Sequence, residues 1–389
     1  MFLPYKNFCA IIAYWHNILY NQGEKIMKKK LITFAISAVM AFSVMTGCGK
    51  SEEATIAVSE GTTEITTEAT TEATATEATT EATTEAAKEA STSTDAAVAA
   101  SKTDAASNAV DRSGNKINIP DEVNTIVSIA PSTTRFLIDL GLADKIVAID
   151  TNSASYMEQL PVGIKQFDMM NPDCEALVAL KPDLIFTSGM SSFGGVDPFQ
   201  SVRDAGICVA DIPSSTSLAE IVTDLEFIGS AVGAEDKAAE LIDEFKAQVD
   251  ELQATASTIE TKKSILFMIS LPTADYPSLY TFGKGTYLDE MVTGIGATNV
   301  TGDQEGWVSI SEEEAIAMNP DVILTNVNYI ADVENAIKST VGWENVTAIK
   351  NDEVYYIDAD ASNQPNNHVV DAMIEMAKKV YPDQFADFQ

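Results

Sequence analysis

The stretch 234–256, AEDKAAELIDEFKAQVDELQATA, decides how the rest of the chain is read. Ala238, Leu241, Ile242, Phe245, Val249 and Leu252 recur at steps of three and four, which puts them on one face of a 3.6-residue helix. Asp236, Lys237, Glu240, Glu244, Lys246, Asp250 and Glu251 fall on the other face. No Gly or Pro interrupts the pattern, so it predicts one unbroken helix about 30 Å long. The same short sequence pattern flanks it on both sides. Before it stands Glu175-Ala-Leu-Val-Ala-Leu-Lys-Pro182-Asp-Leu-Ile-Phe, and after it Glu313-Glu-Ala-Ile-Ala-Met-Asn-Pro320-Asp-Val-Ile-Leu. In each, a Glu precedes Pro-Asp by seven residues and a short apolar run comes next. The chain therefore reads as two related halves joined by a rod.

The chain has 389 residues, a prior for two or three domains, and its 46% apolar share is ordinary for a folded protein. Its charge is not ordinary: 24 Lys and Arg oppose 58 Asp and Glu, a net of −34. Nucleic acid is excluded as a partner on this ground, because phosphate binding needs clustered cations. Arginine occurs only at 112, 135 and 203. Cys9, Cys48, Cys174 and Cys208 form no CxxC pair, which suggests neither a disulfide framework nor a zinc knuckle.

Residues 1–26 fit poorly with the segment that begins at Met27, and Met27 is the expected true start. From there Lys28, Lys29 and Lys30 form a basic segment, residues 31–45 an apolar one, and small residues lead to Cys48. That is a secretory signal pattern. Its apolar run is too short for a membrane span, and no basic stop-transfer cluster stands after it. Met45-Thr-Gly-Cys48 resembles the lipobox of bacterial lipoproteins, with Met where Leu is usual, which implies cleavage before Cys48 and lipid on it. Removing residues 1–47 takes away five lysines and one glutamate, so the mature chain is more acidic still. From 51 to about 108, ATTEATTEAT-like units recur without an aromatic residue. Such a segment cannot bury enough apolar surface to offset its chain entropy and is expected to be a disordered tether reaching roughly 40 Å.

The folded part begins near Val110. Asp111-Arg-Ser-Gly-Asn-Lys-Ile-Asn-Ile-Pro120 reads as a hairpin turning at Ser113-Gly114-Asn115. Strands are expected at 125–130, 145–150, 184–187 and 207–211. They alternate with helices at 132–141, 172–181, 197–205 and 218–232, with Asn171 as the cap of the second. After the rod, strands at 264–271, 322–325 and 354–357 accompany helices at 287–294, 311–318, 333–341 and 368–380. Ser311 and Glu314 make a capping box. The alternation predicts an α/β protein: two α/β lobes with mostly parallel sheets bridged by a single long α-helix. The expected boundaries are 1–47 for the signal region, 48–108 for the lipidated Cys and tether, 109–233 for the N-terminal lobe, 234–257 for the connecting helix and 258–389 for the C-terminal lobe.

Several of these segments resemble, taken together, the periplasmic-binding family that serves ABC importers of iron chelates, haem and corrinoids. They are the hairpin, Ile126-Val-Ser-Ile-Ala-Pro-Ser-Thr-Thr134, Leu140-Gly-Leu-Ala-Asp-Lys-Ile-Val-Ala-Ile-Asp150, the two Glu…Pro-Asp repeats and Val380-Tyr-Pro-Asp-Gln-Phe385. The likeness covers about residues 110–389 and rests on order and spacing, since no single motif is specific. It implies a monomer that holds its ligand between the lobes, moves through a small hinge angle, and meets the membrane through its lipid anchor alone. It also implies a permease dimer as partner, with Glu175 and Glu313 docking onto permease arginines. Read without the resemblance, the two are helix-start acids favoured by the dipole, and Glu312 and Glu314 are neighbours able to substitute. The chain departs from the pattern at Arg135, where many relatives carry Glu, and at Asn367-His368, where relatives often have Pro-Arg. Arg135 stands either to reach an anionic ligand or to balance Asp139 at i+4. His368 reads first as a helix-start surface residue, with ligand contact as the other option.

Loops after strand carboxyl ends are expected to line the cleft. They offer Ser132, Thr133, Tyr156, Met169, Met170, Met190, Phe193, Tyr276, Tyr280, Lys284, Trp307, Tyr329 and Asn363. Trp307 is the first expected ligand contact, followed by Tyr280, Lys284, Tyr156, Met170, Ser132, Tyr329 and Arg135. Aromatic and Met side chains suit a broad, partly apolar chelate or macrocycle, although core packing is equally open for any one aromatic. Scarce arginine disfavours a multiply anionic ferric catecholate or citrate, and the single histidine of the folded part, His368, disfavours bare zinc or manganese. The expected function is capture of an iron chelate, siderophore or haem-like, for an ABC importer. A corrinoid-binding member of the same family is one alternative, and a stalked surface adhesion protein is another. No GxSxG, HExxH or P-loop occurs, so no enzyme, cofactor or metal site is expected. Cys208, in the apolar run Gly206-Ile-Cys-Val-Ala, reads as core.

Overall fold

The structure, a computed structural model, describes residues 109–189, 197–273 and 276–388. The signal region, Cys48, the tether, Met190 and Phe193 lie outside the described residues. The hairpin forms as expected: β1 (Ala109–Val110) pairs antiparallel with β2 (Lys116–Ile117). Asp111 holds its turn by accepting the N–H groups of Ser113 at 3.0 Å and Asn115 at 2.8 Å. Next comes a five-stranded parallel sheet, made of β3 (Ile126–Ser128), β4 (Ile146–Asp150), β5 (Lys165–Phe167), β6 (Leu184–Ser188) and β7 (Cys208–Ile212). Its order is β5-β4-β3-β6-β7. Its helices are α1 (Pro131–Asp139), α2 (Cys174–Leu180), α3 (Gln200–Asp204) and α4 (Leu218–Val232). Asp173, not Asn171, caps α2, its carboxylate accepting the Ala176 N–H at 3.0 Å. A carboxylate is the stronger acceptor and suits the positive helix end. Gly233, at φ 70°, ends α4, and α5 (Glu235–Ala256) begins two residues later.

The second parallel sheet runs β10-β8-β12-β13, from β8 (Ser264–Met268), β10 (Thr298–Asn299), β12 (Val322–Thr325) and β13 (Val354–Tyr356). An antiparallel pair stands beside it, β9 (Ser278–Phe282) with β11 (Trp307–Ser311). This pair corrects the expectation that Tyr280 and Trp307 belong to loops. The run Trp307-Val-Ser-Ile-Ser alternates, with Val308 and Ile310 buried and Trp307 and Ser309 outward, which is the period of a half-buried strand. The helices here are α6 (Tyr287–Gly294), α7 (Glu312–Met318), α8 (Val333–Lys338), α9 (Thr347–Lys350), α10 (Ala359–Ser362) and α11 (Val369–Val380). The Ser311–Glu314 capping box is present, and no helix among the described residues is long and apolar enough to cross a membrane.

The repeated Glu…Pro-Asp stretches fold alike. α2 and α7 each have 7 residues and end in a left-handed residue, Lys181 at φ 50° and Asn319 at φ 46°. The Asp of the motif then pins a neighbouring strand. Asp183 accepts the Asn124 and Thr125 N–H groups at 2.9 and 2.8 Å, just before β3. Asp321 accepts the Ser264 N–H at 2.8 Å and its hydroxyl at 2.7 Å, at the start of β8. In each lobe, the motif fixes the register of the two central strands.

α5 supplies the floor under both lobes. Ala238, Ile242, Phe245, Val249, Leu252 and Ala256 are its buried residues, while Leu241 is half-buried. They belong to one continuous apolar cluster that also takes Ile126, Phe136 and Leu225 of the first lobe and Phe267, Met291 and Met376 of the second. Each sheet has a separate cluster on its other face, around Val127 and Phe199 in the first lobe and around Leu266 and Trp343 in the second.

Candidate functional site

In both sheets the strand order reverses beside the first strand, which opens a crevice at the carboxyl ends. The two crevices face one cleft. Ala130, Pro131 and Ser132 come after β3, Asn152 after β4 and Met169 after β5, Ser188 ends β6, and Ile212, Pro213 and Ser214 lie at the end of β7. The opposite wall is Asn328 after β12, and Ala359, Asp360, Asn363, Gln364 and Pro365 after β13. The cleft holds about 60 Å³ of solvent space, the share of about two waters. Sites for drug-sized ligands run from about 300 to 1,000 Å³, so the cleft in this arrangement is narrower than a chelate or macrocycle needs.

The polar character of the walls comes from the backbone turns that build them. α1 begins at Pro131 without a side-chain cap, which leaves its positive end facing the cleft. Beneath it runs a chain of buried hydroxyls. Thr134 donates to Ser128 at 2.8 Å, lies 3.0 Å from the Ser153 hydroxyl, and Ser153 in turn donates to Asp150. Asp150 also accepts the Asn152 N–H at 2.7 Å, which fixes the turn carrying Asn152 into the cleft. Burial pushes the Asp150 carboxyl up to about 6 despite these donors. Ser188 Oγ and Asn326 Oδ1 are buried with no hydrogen-bond partner among the described residues, although Asn326 Nδ2 donates to Asn363 at 2.7 Å.

A second cavity, of about 360 Å³, adjoins the first and shares Asp360 with it. It lies over a cross-lobe clasp. Arg135 grips Asp139 with Nη2 at 2.6 Å and Nε at 3.1 Å. From the other lobe, His368 Nε2 approaches Asp139 at 2.9 Å and Asn367 Nδ2 donates to it at 3.1 Å. His368 Nδ1 lies 2.7 Å from Asp371. Burial alone lowers the His368 imidazole, but the hydrogen bonds to Asp139 and Asp371 outweigh it and push it up to about 9. Burial alone raises Asp139, but His368 and Arg135 hold it below the usual carboxylate range. Tyr156, 5.9 Å beneath the Arg135 guanidinium, donates across the lobes to Gln364 Oε1 at 2.5 Å. The expectation of a surface role for His368 is thus corrected: it is half-buried and joins the lobes. Arg135 takes the balancing arrangement with Asp139.

Of the expected ligand residues, the cleft gathers Ser132, and Met169 and Asn363 from the wider set. Tyr156 and Arg135 line the second cavity. Met170 packs against the outer cluster of the first lobe. Tyr280 is half-buried on β9, and Lys284 pairs with Glu305 at 3.3 Å. Trp307 is 49% exposed at the start of β11 and Tyr329 is exposed beside Asn328. Asn363 apart, sequence reasoning passed over the cleft amides Asn328 and Gln364 and the buried Asn326 behind them. For Asn326-Val-Asn328 the signal was amides directly after the apolar strand β12. Glu175 and Glu313 occupy the second position of α2 and α7, are exposed, and make no hydrogen bond or ion pair among the described residues. The alternatives are committed elsewhere: Glu312 accepts the Trp343 indole N–H at 3.2 Å and Glu314 accepts the Ser311 N–H at 2.8 Å. Burial pushes the Cys208 thiol up to about 11, which makes it a poor nucleophile at neutral pH.

Residues 126–361 match the family of periplasmic binding proteins. An uncharacterised ABC transporter substrate-binding lipoprotein of Bacillus subtilis, YvrC, is 34% identical over 71% of this chain and 86% of its own length. The molybdate-binding protein MolA of Haemophilus influenzae is 27% identical over 71% of this chain and 85% of its own. Among solved structures, a possible iron-binding periplasmic solute-binding protein of Staphylococcus epidermidis superposes with a TM-score of 0.59 at 28% identity, covering 67% of this chain and 100% of that one.

Proposed function

The chain belongs to the periplasmic binding protein family, the substrate-binding components of ABC importers, and from that premise we propose that it captures an iron chelate, siderophore or haem-like, and delivers it to a permease dimer. The observation that carries the reading is the cleft at the carboxyl ends of two facing parallel sheets, with polar groups set among apolar walls and a second cavity adjoining it. The amide-rich wall of Asn328, Asn363 and Gln364 favours a second reading, a corrinoid, whose rim offers matching hydrogen-bond partners. In either case the protein works as a monomer on the outer face of the cell membrane, held by lipid on Cys48 and by the tether, without catalysis.

Glu175 and Glu313 are the proposed permease contacts. They stand at matching positions of two matching helices, and a free carboxylate accepts a bidentate arginine. A Glu175→Ala/Glu313→Ala double variant is expected to lose import while its ligand affinity and Tm stay within error of the parent. Unchanged uptake by cells carrying only that variant would remove the docking role. The ligand itself is sought by thermal shift with ferric hydroxamates, haemin and cyanocobalamin, since a ligand at a hundred times its Kd stabilises by about 2.7 kcal/mol. A flat response to all of them would favour the stalked adhesion protein instead.

A further inference from the structure

Asp360 is the one charged side chain among the described residues lining the central cleft, and it also lines the second cavity. No Lys or Arg reaches the central cleft among the described residues. In the second cavity the acids Asp358, Asp360, Asp371 and Glu375 face two cations, Arg135 and His368. Both cations are already engaged on Asp139, and His368 on Asp371 as well. Glu375 is matched by Lys379 at 2.7 Å, and Asp358 caps α10. Among the described residues Asp360 has only the Ser155 hydroxyl of the opposite lobe, and burial together with Asp358 pushes its carboxyl up. A carboxylate in that position carries excess negative potential that a positive ligand relieves.

We propose that Asp360 is the charge filter of this site, so that the cleft takes neutral or cationic chelates or corrinoids and rejects anionic ones. The proposal rests on the reading of this cleft as the ligand site. The uncapped end of α1 receives an acceptor oxygen of the ligand, and the cleft-lining Ser188 Oγ, without a hydrogen-bond partner among the described residues, meets its hydrogen-bonding rim. Asp360 faces the ligand's positive or neutral side from the other wall. The same donors at α1 would suit a small oxyanion, but Asp360 sets a like charge against it across a narrow cleft.

The test is a charge series on the full-length chain in detergent. Its probes are ferrioxamine B (cationic), ferrichrome and cyanocobalamin (uncharged), ferric enterobactin (trianionic) and molybdate, followed by thermal shift and by tryptophan quenching. The cationic and at least one uncharged probe are expected to bind, and the two anions are not. Asp360→Asn is expected to lower the ratio of cationic to uncharged affinity roughly tenfold. Asp360→Lys is expected to shift preference toward the trianion. Tighter binding of ferric enterobactin or molybdate than of the cation overturns the filter and leaves the binding role standing for the chelate. An unchanged ratio in the Asn variant overturns it too. Binding of none of the chelates or corrinoids overturns both. The wild-type series decides the question even if the variants fail to fold.

Discussion

At the scale of single residues, the clasp around Asp139 makes a signed prediction. The folded-state pKa of His368, about 9, lies above its ordinary value of 6.5. Its contribution to stability is therefore complete below pH 6.5 and is lost as pH rises through about 9. Asp139 is held below 3.8, so its contribution is present above 3.8 and is lost as pH falls through its folded value. The clasp thus stabilises most in mildly acidic solution. His368→Asn is expected to lower stability by on the order of 1–2 kcal/mol near pH 5.5, the full shift being discounted for partial exposure. The gap between variant and parent should shrink toward pH 9.5. Thermal unfolding across that range checks this, and a gap independent of pH would mean that His368 acts through packing alone. Only the Arg135–Asp139 pair, at i+4, was visible in the sequence. His368 and Asp139 are 229 residues apart, and only the fold makes them neighbours.

Elements were more legible. The bounds of α4 and the start of α6 fall where expected, and the caps give the reason: Ser217 accepts the Glu220 N–H, Gly233 takes the left-handed region after Val232, and Thr286 accepts the Asp289 N–H. β9 and β11 were missed because the sequence reading places Tyr280 and Trp307 in loops as ligand contacts, although the alternation of Trp307-Val-Ser-Ile-Ser already carried the strand period. The junction of α4 and α5 offers a test of packing against propensity. A Cβ at Gly229 would overlap the methyl of Ala238, where the two helices cross. Gly229→Ala gains about 1 kcal/mol of helix propensity but incurs about 1–3 kcal/mol of overpacking. A net loss of stability, read as a lower Tm, is expected. Pairing it with Ala238→Gly should restore most of that loss, and failure of the rescue would place the strain elsewhere.

At the scale of the molecule, closure is held by contacts that cross the cleft: Tyr156 to Gln364, and His368 and Asn367 to Asp139. The apolar cluster through α5 resists separation on the opposite side. A pivot over α5 is therefore the expected opening motion, with the polar contacts setting how far the lobes stay shut. Tyr156→Phe combined with Gln364→Ala is expected to increase the radius of gyration seen by solution scattering, with Tm lowered by less than about 2 kcal/mol of equivalent stability. Identical scattering curves would show that the apolar cluster alone holds the lobes. A proline at Phe245 attacks the pivot itself, and should cost about 3 kcal/mol or more and disturb transport with it.

The division between sequence and structure has a physical basis. The long amphipathic helix, the strand–helix alternation and the two Glu…Pro-Asp repeats are local patterns with periods of a few residues. They determined by themselves that there are two α/β lobes and one connecting helix. They also marked Glu175 and Glu313 as matching helix-start acids, while the docking role proposed for them comes from the family resemblance and their freedom from partners from the fold. The cleft is not local. Asp360 beside Ser155, Asn326 beneath Asn363 and Asp139 against His368 meet only after each lobe has folded and been set on α5. The sequence had also nominated large aromatics for the site, since apolar area is what composition advertises. The tertiary structure placed Trp307 on a strand and set amides, hydroxyls and one acid among the small apolar residues of the cleft. Those groups are polar and commonplace in sequence, and they acquire meaning only from the burial and the company that the fold gives them.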